Sequence, residues 1–303
     1  MNRRKLLRML AQGSALAACP SIAFSANEVP ENFQFGLQLS TLNRLMNDEF
    51  FETLSLISEM GYSVVEFSAG GFLGRDPQRV KEHLAQTGLV APVGRVTPDF
   101  PANYRSLPRE EQRAISSSLR GADNLIRSVR HALTITVDMG QKYLNIPAIP
   151  DTEFSSRAKV ENVARLLNEA GKICQEQGVL LGYHNHDYEF VEVDGILPYD
   201  FLLAETDPEL VGFQLDSYWV TKGGGDIMQY LRDHPGRFPS CHLKDIDSQG
   251  NFEDVGSGLI DFPAFITLAM EQGSKHFFVE RDNPPSPMEA ARNSFEYLSR
   301  LNS

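Results

Sequence analysis

From about Phe33 onward, the chain alternates between two hydrophobic periods. Short runs of apolar, β-branched and aromatic residues are followed by longer stretches whose apolar positions recur every three to four residues. The short runs predict strands over 35–39, 63–67, 89–93, 143–146, 179–189, 211–216, 241–245 and 276–280. The longer stretches predict helices over 49–60, 77–86, 110–139, 157–177, 199–205, 226–233, 261–272 and 287–301. Gly61, Gly88, Gly140, Gly178 and Gly273 each stand between a helix and the next strand, where a left-handed cap is needed.

Eight strand–helix units with no linker between them predict an α/β fold, a single (β/α)8 TIM barrel over residues 27–303. A doubly wound open sheet competes with it. That architecture wants a glycine-rich turn after its first strand, and here the turn reads Ser40-Thr41-Leu42-Asn43-Arg44. The barrel is the better reading.

The last four predicted strands share a property. Each ends in residue types suited to a metal site: His184 and His186, with Glu189 just beyond; Asp216; His242, with Lys244 as a charged neighbour; and Glu280. Barrel enzymes build their sites from the C-terminal ends of strands, so these groups would converge. Alternation places His184 and His186 on one face of their strand, Gln214 with Asp216, and His242 with Lys244. Each residue also has a plainer explanation. Asp216 can cap whatever follows it, Glu280 can lie on the surface, and His242 can be a hydrogen-bonded core histidine. Four consecutive strands with ligand-type ends are hard to obtain from capping alone. His83, His131, His234 and His276, lying in helices, in a turn and at a strand start, read as structural.

Composition narrows the partners. Hydrophobic content of 42% and charged content of 22% describe an ordinary folded protein, and the formal charge of −12 argues against a nucleic-acid partner. No run reaches the roughly 18 apolar residues that span a bilayer. Residues 1–26 differ from the rest: Arg3-Arg4-Lys5-Leu6-Leu7-Arg8 precedes a small, apolar stretch that ends Ser25-Ala26. That pattern reads as a twin-arginine-like export signal, and its removal takes the charge from −12 to −16. Leu16-Ala17-Ala18-Cys19 also resembles a lipobox, so lipid anchoring at Cys19 and plain cleavage near Ser25 or Ala26 both stay open. Either way the protein is expected to be exported, in the periplasm or anchored at the cell envelope. Cys174 and Cys241 read as buried free thiols.

Five segments carry a resemblance to a known family. They are Gly-Tyr-His-Asn-His-Asp-Tyr-Glu-Phe at 182–190, Gln-Leu-Asp-Ser-Tyr-Trp-Val at 214–220, His-Leu-Lys-Asp at 242–245, Val-Gly-Ser-Gly-Leu-Ile-Asp-Phe at 255–262 and Phe-Val-Glu-Arg-Asp at 278–282. Together they resemble the sugar phosphate isomerase/epimerase-like proteins, xylose-isomerase-like TIM barrels that include inosose dehydratase and ketose 3-epimerases. The resemblance implies one divalent cation held by Glu, Asp, His and Glu from strands five to eight. The last three map onto Asp216, His242 and Glu280. Glu189 is the favoured first ligand and His184 the alternative, because the epimerases end strand five in a glutamate where this chain has His184.

Gln38 and Glu66 occupy family-like sugar-contact positions. Arg95 stands where relatives often carry a histidine, and Trp219 adds an aromatic wall. The implied chemistry is isomerisation or epimerisation of an unphosphorylated sugar or keto-sugar through an enediolate. Glu280, Glu189 or His186 would move the proton and Lys244 would stabilise oxyanion charge. Mn²⁺ is the favoured ion, with Co²⁺, Mg²⁺ or Zn²⁺ as alternatives. A 3-keto-glycoside lyase or hydrolase would use the same enolate. A periplasmic carbohydrate-binding protein without turnover is the reading from another class, and a homodimer is compatible with all three.

Overall fold

The computed structural model describes residues 29–301 apart from 31, 32, 99 and 102. The export segment, Cys19 and both cleavage positions lie outside the described residues. Eight parallel strands form the barrel wall: β1 (Gly36–Gln38), β2 (Val65–Glu66), β3 (Val93–Arg95), β4 (Tyr143–Ile146), β5 (Leu180–His184), β6 (Val211–Asp216), β7 (Ser240–Leu243) and β8 (His276–Val279). Their hydrogen-bonded order runs β2-β1-β8-β7-β6-β5-β4-β3. A parallel bridge between Val64 and Val90 joins the two ends of this sheet. A short antiparallel hairpin, Asp245–Ile246 with Phe252–Glu253, follows β7.

Strand alternation sorts the residues into two environments. Leu37, Val65, Leu144, Leu181, Tyr183, Phe213, Leu215, Leu243 and Val279 face the surrounding helices and are buried. Each such side chain contributes about 1.5–3 kcal/mol by leaving water. The opposite parity fills the barrel axis. Near its base the Tyr143 and His276 rings meet edge to face at 4.9 Å, so His276 is structural as expected. Higher up come Gln38, Glu66, Asn145 and Gln214, and at the C-terminal ends stand His184, Asp216, His242 and Glu280.

Three predicted elements are corrected, the first being the strand expected over 179–189, which ends at His184 and is followed by a turn at Tyr188–Phe190. The single helix expected over 110–139 is Arg109–Arg120, a short turn at Ala122–Asn124, and Leu125–Asp138. Gly121 breaks it, with an extended backbone at φ −62° and ψ 160°. The third strand, expected over 89–93, pairs with β4 only from Val93, and Val90 instead makes the bridge to Val64. The chain also forms a helix that periodicity did not reveal, Ser217–Lys222, immediately after β6. The cap glycines behave as expected: Gly61 at φ 113° and Gly88 at φ 72° end their helices in the left-handed region. Cys174 and Cys241 are free and buried. Among the described residues no helix is long and apolar enough to cross a membrane.

Candidate metal centre

Register brings the ligand-type residues together. β6 pairs with β7 so that Asp216 lies opposite His242, and β5 pairs with β6 so that His184 lies opposite Gln214. One ligand atom from each of His184, Asp216, His242 and Glu280 falls within 4.8 Å of the other three, and all four residues are buried. His242 Nδ1 is 2.8 Å from Glu280 Oε2 and 3.7 Å from Asp216 Oδ2, and His184 Nε2 is 4.0 Å from the same Asp216 oxygen.

The capping explanation of Asp216 holds for one oxygen, and the other lies in the group that could hold a metal ion. Oδ1 accepts the backbone N–H of Trp219 at 2.9 Å and caps the helix that follows β6. Oδ2 is buried and has no hydrogen-bond partner. A carboxylate oxygen in that condition is costly, and a cation among the four donors would satisfy it. The donor set of two imidazoles and two carboxylates fits a divalent transition metal.

Glu189 is not part of this group. It is fully buried, accepting the Tyr183 hydroxyl on one oxygen and the His186 backbone N–H at 2.9 Å on the other. Tyr183 belongs to the outward face of β5, so the carboxyl that binds it is drawn behind the strand, away from the axis. Burial pushes its pKa up to about 8. His184, the alternative first ligand, occupies the strand-five position instead.

Glu66 was expected at the sugar. Its two oxygens accept Gln38 Nε2 at 2.6 Å, Gln214 Nε2 at 2.9 Å, Arg95 Nη1 at 3.2 Å and Asn145 Nδ2 at 3.4 Å, and approach His242 Nε2 at 2.7 Å. Protein donors saturate it. Its part in the site is to fix the far nitrogen of His242, which leaves Nδ1 directed at Asp216 and Glu280. Gln38 is likewise buried, spanning Glu66 and the backbone of Ser40.

Above the cluster sits a charged layer. Lys244 Nζ donates to Glu280 Oε2 at 3.1 Å and to Asp282 Oδ2 at 2.6 Å, and lies 3.9 Å from Asp216 Oδ2. Burial alone would depress its pKa, but Glu280, Asp216 and Asp282 outweigh that and raise it, so the ammonium stays charged. The rings of Trp219 and Phe252 flank the ammonium at 5.0 and 5.1 Å. His186 stacks flat on Tyr188 at 5.2 Å and faces Trp219 at 5.4 Å, with Tyr188 Oη 3.3 Å from its Nδ1. Burial, then Lys244, lowers the His186 pKa and keeps its ring neutral.

Sequence reasoning missed three contributors. Ser40 Oγ donates to Glu280 Oε1 at 2.5 Å, Asn145 joins Glu66 to Ser240, and Asn185 Oδ1 accepts the Asp216 backbone N–H at 3.0 Å. Asn145, on the inward parity of β4, was visible to the alternation rule. Ser40 and Asn185 act across the chain, which no local pattern reveals.

Comparison with known proteins bears on the fold and the family. The chain is 26% identical over 276 residues to inosose dehydratase of Geobacillus kaustophilus, covering 82% of this chain and 86% of that one. Its fold matches a sugar phosphate isomerase/epimerase from Parabacteroides distasonis, with a TM-score of 0.72, 24% identity and coverage of 88% and 98%. It also matches 3-keto-D-glucoside 4-epimerase from E. coli, with a TM-score of 0.64, 18% identity and coverage of 88% and 99%. Residues 54–301 match the xylose isomerase-like TIM barrel family, and the chain belongs to that family.

Proposed function

We propose that this protein is a divalent-metal-dependent isomerase or epimerase of an unphosphorylated sugar or keto-sugar. The observation that carries the reading is the buried His184, Asp216, His242 and Glu280 group, in which Asp216 Oδ2 has no hydrogen-bond partner. A divalent ion held by those four residues would polarise the substrate's carbonyl and stabilise negative charge on its oxygen. With His184 in place of a carboxylate, the donors are two nitrogens and two oxygens. That set favours Mn²⁺, Co²⁺ or Zn²⁺ over Mg²⁺, and Mn²⁺ is our assignment.

The chain's own groups divide the remaining work. Of the groups expected to move the proton, His186 at the mouth and Glu280 beside Lys244 are the two placed next to the centre. The Lys244 ammonium faces the developing enediolate oxygen from a water-poor pocket, where a fixed charge counts for more than in water. Trp219, Tyr188 and Phe252 supply the apolar wall for a sugar face. Reprotonation on the opposite face gives the epimer, and on the neighbouring carbon the isomer. Elimination is the second reading, favoured by the inosose dehydratase relatives that span most of the chain; the same enolate would expel a group β to it, as a 3-keto-glycoside lyase also requires. The basic, apolar N-terminus supports an exported enzyme, and an exported enzyme is one for which we favour an unphosphorylated substrate.

The test is ¹H NMR in D₂O with metal-quantified protein, a panel of ketoses, inososes and keto-glycosides, and an Asp216→Asn control. Metal-dependent loss of a carbon-bound proton, absent in the control, is expected, and new vinylic signals would select elimination. Stoichiometric metal with no exchange across the panel would leave carbohydrate binding without turnover. Protein that holds no divalent metal after reloading would overturn the site.

A further inference from the structure

We propose that the barrel mouth carries a second, apolar subsite beside β2 and β3 that takes the aromatic aglycone of a glycoside; this rests on reading the adjoining centre as a sugar site. A cavity of about 510 Å³ opens there, within the range that holds a small organic ligand. Its walls include Phe67, Phe72, Phe100 and Tyr104, with His131 and Arg95 as polar edges. Phe100 and Tyr104 stack at 4.2 Å and 24°, and Phe67 meets Phe72 edge to face at 4.7 Å. Such faces and edges suit an aromatic ring, and Arg75 and Thr97 add polar groups at its rim.

Arg95 is the wall shared by the two compartments. Its Nη1 reaches into the barrel, donating to Glu66 at 3.2 Å and Gln214 at 2.6 Å, and Glu66 in turn contacts His242. Its side chain is 6% exposed, yet Nε has no hydrogen-bond partner. A buried N–H of a cation left unmade calls for an acceptor. The oxygen that links a sugar to an aryl ring would supply one beside Arg95, which lines the cavity and reaches the barrel interior. A free sugar would leave both the donor and the aromatic walls unused.

Saturation-transfer NMR and calorimetric titration with phenyl β-D-glucopyranoside, methyl β-D-glucopyranoside and phenol test this. The phenyl glucoside should bind about ten-fold or more tightly than the methyl glucoside. Ala69→Phe, which fills the cavity from the loop after β2, should abolish that preference, and Phe100→Ala should reduce it from the opposite wall. Phenol should still bind Asp216→Asn protein, so the subsite is read independently of the metal-centred chemistry. Equal affinity for the two glucosides, a preference that survives Ala69→Phe, or failure of all three probes to bind would overturn the proposal. A phenyl preference without proton exchange in the D₂O assay would instead overturn only the proposed reaction.

Discussion

Asp216 caps the helix at Trp219 with one carboxylate oxygen, 2.9 Å from the backbone N–H, and leaves the other oxygen without a hydrogen-bond partner at the centre of the barrel. The same side chain therefore starts a helix and joins the buried group that could hold a metal ion. Trp219, held by that cap, is in turn placed beside Lys244 and His186.

That division of labour separates two substitutions. Asp216→Asn keeps a good capping group and should leave the melting temperature close to wild type while abolishing stoichiometric metal. Asp216→Ala should lose the metal and also about 1 kcal/mol of stability from the uncapped helix. Metal analysis by mass spectrometry and thermal melts of metal-free protein distinguish the two.

Glu66 should behave as the residue that orients His242. Glu66→Gln keeps the volume but changes what faces His242 Nε2, and metal affinity should fall about 10–100-fold in a chelator competition. Glu66→Ala leaves the Arg95 and His242 donors buried without their acceptor and should cost about 3–5 kcal/mol in denaturant unfolding. Unchanged metal affinity in Glu66→Gln would show that His242 is fixed by other means.

Glu189 gives a pH-dependent prediction. Burial raises its pKa from 4.5 to about 8 in the folded chain, so folding favours the protonated form. The stability this provides is complete below the unfolded value and is lost as pH rises through the window from about 4.5 to about 8. Glu189→Gln stays neutral throughout. The difference in melting temperature, variant minus wild type, should therefore increase from pH 5 to pH 9, and parallel curves would contradict the assignment.

Gly182 lies on the inward face of β5 because nothing larger fits there. A Cβ at that position would stand 1.8 Å from Asn145 Oδ1. Gly182→Ala should displace Asn145 from Glu66 and Ser240 and destabilise the barrel by about 1–3 kcal/mol. A crystal structure of the variant should show the Asn145 side chain turned away.

Much of the molecule was legible in its residues. The alternation of periods 2 and 3.6, with glycine at the helix ends, determined eight strand–helix units and hence the barrel. Ligand types at successive strand ends marked Asp216, His242 and Glu280, because strand alternation is a local rule and parallel strands in one barrel end on one face. Local rules stopped where a contact depended on loops and register. His184 ends β5 and Glu189 follows it closely in sequence. Only the packed turn after the strand decided that Glu189 would be drawn to the Tyr183 hydroxyl on the outer face while His184 stayed on the axis. Glu66 looked like a sugar contact at a strand end, and the closing of the barrel enclosed it among Gln38, Asn145, Gln214, Arg95 and His242. Pattern along the chain determines which face a side chain takes. Which partners meet it there is decided by the three-dimensional closure that brings residues more than a hundred positions apart within hydrogen-bond reach.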